Sequence, residues 1–235
     1  MRADQLATIN TARNSRRAVA YVTDLVTGEG QAVDGSQIAM HVLREDIEKA
    51  LRSGKPAMVE AEGGQMFVNV YVPPPQIAVI GAVHISQALA AMAPVAGFDI
   101  RIIDPRTAFA TPERFAGIDI VADWPEDVLK DRPLDAYTAL VAVTHDPKID
   151  DFPIAEALRT GCFYVGALGS RKTHAKRVER LQAAGLGEAE IARIDAPIGL
   201  DIAAQSPAEI AVAVLGAIIQ AFHRRDLAAA DNRRP

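Results

Sequence analysis

Residues 76–106 read QIAVIGAVHISQALAAMAPVAGFDIRIIDPR, and this stretch decides the fold. Residues 77–80 are a short apolar run rich in β-branched side chains, as a buried parallel strand requires. Gly81 then allows a sharp turn. Residues 84–92 have helical spacing, with Ile85, Leu89 and Met92 on one face, and Gly97 is expected to end that helix. Residues 98–103 read as a second strand. Asp104 stands at its carboxyl end, 23 positions after Gly81 (104 − 81). This is the layout of a dinucleotide-binding βαβ unit, in which phosphate lies on a helix N-terminus and an acid takes the ribose hydroxyls.

The turn departs from the glycine-rich fingerprint. Where G-x-G-x-x-G is expected, the chain has Gly81-Ala82-Val83-His84-Ile85-Ser86. A Val83 side chain obstructs the close approach of a pyrophosphate, whereas Ser86 is small enough for the helix to pack on its strand. The motif therefore supports the fold and argues against ordinary NAD(P) binding.

Working outward, residues 118–121, 139–143 and 163–165 read as further strands, separated by helices opening at Pro125 and near Asp150. This alternation predicts an α/β domain, residues 76–235, with a Rossmann-like parallel sheet between helices. Ligands of such sheets lie beyond the carboxyl ends of the strands. Four groups are expected there: Gly81, Val83 and His84; Asp104 and Arg106; Thr144, His145 and Asp146; and Gly166, Gly169, Ser170 and Arg171. Ser170 is an N-cap, and the basic residues behind it oppose the helix dipole, which hints at an anionic ligand. Asp201, in an irregular stretch, could approach the same crevice or cap the next helix. No spacing is diagnostic of a metal site, and no catalytic nucleophile–base pair stands out. Ser206-Pro207-Ala208-Glu209 is a capping box opening a helix that is apolar nearly all round, so it needs cover on several sides. Residues 226–235 are polar and expected to fray.

Before Pro73-Pro74-Pro75 the pattern changes. Residues 1–73 are expected to form a small α+β domain: a first helix at 3–11, strands at 17–25 and 31–33, a turn at Asp34-Gly35, a helix at 42–52, and a hairpin of 56–60 with 66–72. His41 is read as a surface residue.

Bulk properties narrow the function. The chain has 235 residues, 25 Lys and Arg against 30 Asp and Glu, and a net charge of −5, which disfavours nucleic acid as a partner. Its single cysteine, Cys162, excludes an internal disulfide and is read as a buried apolar residue. The most apolar run, residues 210–222, is shorter than the ~20 residues of a membrane span. The N-terminus lacks the apolar core of a signal peptide, so a cytoplasmic location is expected.

Four strings extend the reading. They are Thr144-His-Asp-Pro-Lys-Ile-Asp150; Tyr164-Val-Gly-Ala-Leu-Gly-Ser-Arg-Lys-Thr-His174, followed by Arg177; Ala196-Pro-Ile-Gly-Leu-Asp-Ile202; and Ser206-Pro-Ala-Glu-Ile-Ala211. In these the chain resembles the XdhC/CoxI family, accessory proteins of molybdenum hydroxylases such as xanthine dehydrogenase and carbon monoxide dehydrogenase. The resemblance covers residues 76–222 and implies a Rossmann-like domain that binds the molybdenum cofactor (molybdopterin). It further implies protection of that cofactor, help in its sulfuration with a cysteine desulfurase as possible sulfur donor, and delivery to the apo-enzyme by a homodimer. The family's turn resembles G-A-G-H, where this chain has Val83; its G-L-D-I-G ends here in Ala203. Its N-terminal half usually carries cysteines, one in a Cys-Gly-Gly where this chain has Glu62-Gly63-Gly64. Two other readings come from the residues: an NAD(P)-linked oxidoreductase, and a regulatory or scaffold protein with a vestigial crevice.

Overall fold

The structure is a computed structural model that describes residues 1–225; the expectation for 226–235 lies outside the described residues. The chain divides into two compact units, one containing Met1–Pro73 and the other Pro74–Arg224.

The first unit opens with helix α1 (Ala3–Asn14) and strands β1 (Val19–Asp24) and β2 (Gly30–Asp34). Helices α2 (Gly35–Met40) and α3 (Arg44–Ser53) and strands β3 (Ala57–Ala61) and β4 (Gly64–Tyr71) come next. The strands form an antiparallel sheet in the order β2-β1-β4-β3. Val22, Val33 and Val68 alternate onto one face and are covered by Ile38, Ile47 and Leu51 of α2 and α3. α2 occupies the place where a simple turn was expected. Gln37 supplies the reason: its Oε1 accepts from the Asp34 N–H (3.3 Å), the back half of a capping box.

The second unit alternates strand and helix. Its strands are β5 (Gln76–Ile80), β6 (Asp99–Ile103), β7 (Asp119–Val121), β8 (Thr138–Ala142), β9 (Tyr164–Ala167) and β10 (Ile194–Asp195). Its helices are α4 (His84–Met92), α5 (Pro125–Asp131), α6 (Pro147–Arg159), α7 (Arg171–Ala183), α8 (Glu188–Ile191) and α9 (Pro207–Arg224). All strand pairs are parallel and run in the order β10-β9-β8-β5-β6-β7, which is the Rossmann order. Strand residues alternate between two cores. Ile77, Val79, Ala139 and Val141 pack under α4 and α9, and Ala78, Ile80, Leu140 and Ala142 pack under α5 and α6. Burying near-continuous aliphatic strands on both faces is the main stabilising term, worth about 1.5–3 kcal/mol per large side chain.

Three local expectations change. α4 ends at Met92, and a turn runs on to Gly97, whose φ of +82° only glycine adopts readily. β10 is too short to leave a pattern in the sequence. β9 continues through Gly166 to Ala167, so Gly166 is a strand residue; a Cβ there would meet Ile198 at 2.6 Å. The capping box of α9 forms as read: the Ser206 Oγ accepts from the Glu209 N–H (3.2 Å), and Glu209 Oε2 accepts from the Ser206 N–H (3.0 Å).

Candidate ligand-binding site

The strand order reverses between β5 and β8, so the crevice of this sheet opens where Gly81 and Thr144 leave adjacent strands. Gly81 has φ +118°, and a Cβ on it would lie 2.9 Å from the Thr144 methyl. Glycine is therefore required by both conformation and space. Ser86, fully buried, donates its hydroxyl to the Gly81 carbonyl and ties α4 to the turn. Val83 is the N-cap of α4 and supplies no side-chain cap; its side chain packs on the core beneath. His84 is exposed on the first turn.

Asp104, at the end of β6, is completely buried. Its Oδ2 accepts from the Ala82 N–H and from Arg106 Nη2, both at 2.7 Å. Its Oδ1 accepts from the Arg106 N–H and Nε, both at 2.9 Å. A carboxylate offers about four acceptor directions, and all are filled. Burial alone would raise its pKa, but the Arg106 and Ala82 hydrogen bonds outweigh it and hold the group below the usual carboxylate range. The acid that the sequence assigned to ribose hydroxyls is thus an internal tie. Arg106 is committed as well and stacks on the Phe109 ring (4.7 Å). Arg114, which carries no motif in the sequence, donates to the Ala82 carbonyl (3.0 Å) and closes a loop over this turn.

The ends of β8 and β9 are different. Thr144 donates its hydroxyl to Asp150 Oδ1 (2.7 Å), and the His145 N–H donates to Asp150 Oδ2 (3.1 Å). Those two bonds hold His145 in the left-handed region, φ +65°, with its ring exposed. Asp146 turns away and caps α6, its Oδ1 accepting from the Lys148 N–H (3.0 Å). Gly169 has φ +136° and leads to Ser170, whose hydroxyl caps α7 at the Thr173 N–H (3.2 Å).

Between these two strand ends lies a cavity of about 320 Å³, lined by His145 and Asp150 on one side and by Lys172, Lys176, Arg177 and Arg180 of α7 on the other. Arg177 is only 2% exposed. Its Nη2 donates to the Leu168 carbonyl (3.1 Å), while Nε and Nη1 are buried without a hydrogen-bond partner. Burial lowers its pKa against the pull of Asp150 and Asp151. Asp150 is pushed up to about 6, because burial outweighs the Thr144 hydrogen bond and the Arg177 charge. Arg171 is exposed and lies outside this lining, and Asp201 is exposed in the loop after β10. The sequence candidates thus separate. His145 lines the cavity, Thr144 bonds the lining residue Asp150 and Ser170 caps the helix that carries the cations, whereas Asp104, Arg106 and Asp146 are engaged in hydrogen bonds within the chain and Gly166 packs beneath Ile198. Arg177 stood in the sequence only at the end of a family string. Its signal was the like-charged stripe of α7.

A family model described as the XdhC Rossmann domain matches residues 77–218. The chain belongs to the XdhC family. The Escherichia coli K12 protein YqeB, itself uncharacterized, is 27% identical over 90% of this chain and 41% of its own length. A Bacillus subtilis 168 protein named as a probable xanthine dehydrogenase subunit is 32% identical over 68% of this chain and 46% of its own. The molybdenum cofactor insertion chaperone PaoD of E. coli K12 is 29% identical over 57% of this chain and 36% of its own. The matched region therefore spans less than half the length of each of these relatives. The crystal structure of a xanthine dehydrogenase from Bacillus halodurans shares the fold, with a TM-score of 0.61 at 20% identity over 95% of this chain and 65% of that one.

Cys162 is fully buried, and burial pushes its thiol up to about 12. It is inert as a nucleophile or metal ligand. Among the described residues no helix is long and apolar enough to cross a membrane.

Proposed function

We propose that this protein binds the molybdenum cofactor at the carboxyl ends of β8 and β9 and delivers it to a molybdenum hydroxylase of the xanthine dehydrogenase type. One observation carries the reading. Two strings of the family resemblance, residues 144–150 and 164–174, run along or beside a cavity with four cations of α7 on one wall and His145 and Asp150 on the other. The cofactor is anionic, and the buried guanidinium of Arg177, with two nitrogens lacking acceptors, suits such a group. The names of PaoD and of the B. subtilis relative point the same way.

In this reading the cofactor supplies the redox chemistry of the enzyme that finally receives it. The chain binds and orients it: Arg177 and the α7 lysines neutralise charge, and His145 borders the opening. Sulfuration and protection are finer steps of the same proposal. Cys162 cannot hand over sulfur from its buried position, so a separate donor such as a cysteine desulfurase would provide it. NAD(P)-linked oxidoreduction lacks comparable support, because Asp104 has no acceptor direction left for a ribose.

The test is native mass spectrometry of protein purified without oxygen from cells that make molybdenum cofactor, followed by mixing with an apo-hydroxylase. A pterin-sized, molybdenum-bearing adduct that transfers and restores hydroxylase activity is expected. Protein that emerges bare and refuses added cofactor would contradict the proposal.

A further inference from the structure

Lys172, Lys176, Arg177 and Arg180 recur at intervals of one, three and four residues and so lie along one stripe of α7, all lining the 320 Å³ cavity. Only Arg180 is neutralised, by Asp151, whose Oδ1 accepts from its Nη2 (3.0 Å). Neither Lys172 nor Lys176 forms an ion pair among the described residues. Arg177 is buried beside them with three N–H bonds unspent, one on Nε and two on Nη1. The nearest buried carboxylate, Asp150, is turned the other way: both its oxygens accept from the β8 loop, and neither accepts from Arg177.

Like charges one turn apart repel, and two buried guanidinium nitrogens without acceptors are costly. Neither feature helps the fold. Both become favourable when a compact, multiply charged anion enters, because charge-assisted hydrogen bonds to oxyanions are the strong ones. The cavity is at the small end of ligand pockets, roughly 300–1,000 Å³. It suits one group of a larger ligand rather than the whole.

We propose that this cavity is a phosphate subsite, in which Lys172 and Lys176 close on a phosphate monoester from the first two turns of α7 and the largely buried Arg177 guanidinium backs it with its charge. The identity of the ester rests on the cofactor reading, in which it is the phosphate of the pterin; the subsite itself does not.

Two titrations test it, both on the full chain. Calorimetry with inorganic phosphate should show binding to the wild type, at least tenfold weaker in Arg177→Met and several-fold weaker in Lys172→Ala/Lys176→Ala. Both lysines lie on the solvent side of α7, so the double variant remains a valid test even if Arg177→Met fails to fold. Absence of phosphate binding to the wild type at millimolar concentration, or equal affinity in all three proteins, would overturn the subsite. The second titration uses molybdopterin. Arg177-dependent phosphate binding without molybdopterin binding would uphold the subsite for another phosphate ester and end the cofactor reading. Molybdopterin bound equally well by wild type and Arg177→Met would overturn the assignment of the pterin phosphate to this subsite and leave cofactor binding standing.

Discussion

Two aspartates, Asp104 and Asp150, lie buried near the carboxyl ends of strands in the same sheet, and their surroundings are opposite. Asp104 receives four N–H donors, three of them from Arg106. Asp150 receives one hydroxyl and one N–H, while the guanidinium across from it, Arg177, gives it no hydrogen bond. The signs of their titrations differ accordingly. Asp104 titrates below the usual range, so it stabilises the fold above the ordinary carboxylate pKa of ~3.9, and that stabilisation is lost as pH falls through its folded value. Asp150 is raised to about 6, so its contribution is full below the ordinary carboxylate pKa and is lost as pH rises through 6. A region whose polar groups satisfy one another has finished its chemistry. A region that keeps cations unspent is where a ligand fits. That contrast is why the proposed site lies at the ends of β8 and β9 rather than at the β5–α4 turn.

The largest expected effect falls on the satisfied side. Asp104→Ala removes one member of a buried pair and orphans the Ala82 N–H, and should cost about 3 kcal/mol of stability. Urea unfolding measures it; a loss below about 1 kcal/mol would mean the carboxylate is not the tie described. Gly81→Ala comes next, at about 2 kcal/mol, because it combines a left-handed φ with a 2.9 Å approach to the Thr144 methyl. The same unfolding curve checks it, and an unchanged midpoint would contradict the geometry of the turn.

Asp150→Asn is smaller and depends on pH. A full shift from ~3.9 to about 6 corresponds to at most about 3 kcal/mol, and relaxation should leave about 1–2. Relative to the wild type, the variant should gain stability as pH rises from 4 to 7, since it no longer has a buried acid to ionise. Thermal unfolding of both proteins across that range reads the difference; parallel curves would show that Asp150 does not titrate there. Smallest of all is Arg171→Ala, expected within about 0.5 kcal/mol of wild type, with phosphate affinity nearly unchanged. A tenfold loss of affinity by calorimetry would return Arg171 to the site.

The fold was legible because its strands are unmixed aliphatic runs separated by helices with ordinary caps. Ile77 to Ile80 and residues 139–143 leave little alternative to a buried parallel sheet. The two-residue β10 carries no such pattern, and α2 was hidden by Asp34-Gly35, which reads equally as a turn. Candidate residues at strand ends were legible for the same reason, since topology alone sends those ends to one crevice. Their roles were not. Whether Asp104 is free for a ribose depends on the rotamer of Arg106, and whether Gly166 meets a ligand depends on Ile198 arriving from another loop. Arg177 was hardest, because a basic helix face ordinarily signals solvent, and only burial reveals two nitrogens without acceptors.

A crystal structure of the protein grown with molybdenum cofactor under anaerobic conditions would decide between the two regions in one experiment. Density for the cofactor between the ends of β8 and β9, with its phosphate against Arg177 and the Asp104–Arg106 pair intact, is the expected result. Density lying on the Gly81 turn, with Arg106 swung away and Asp104 holding the ligand, would contradict it.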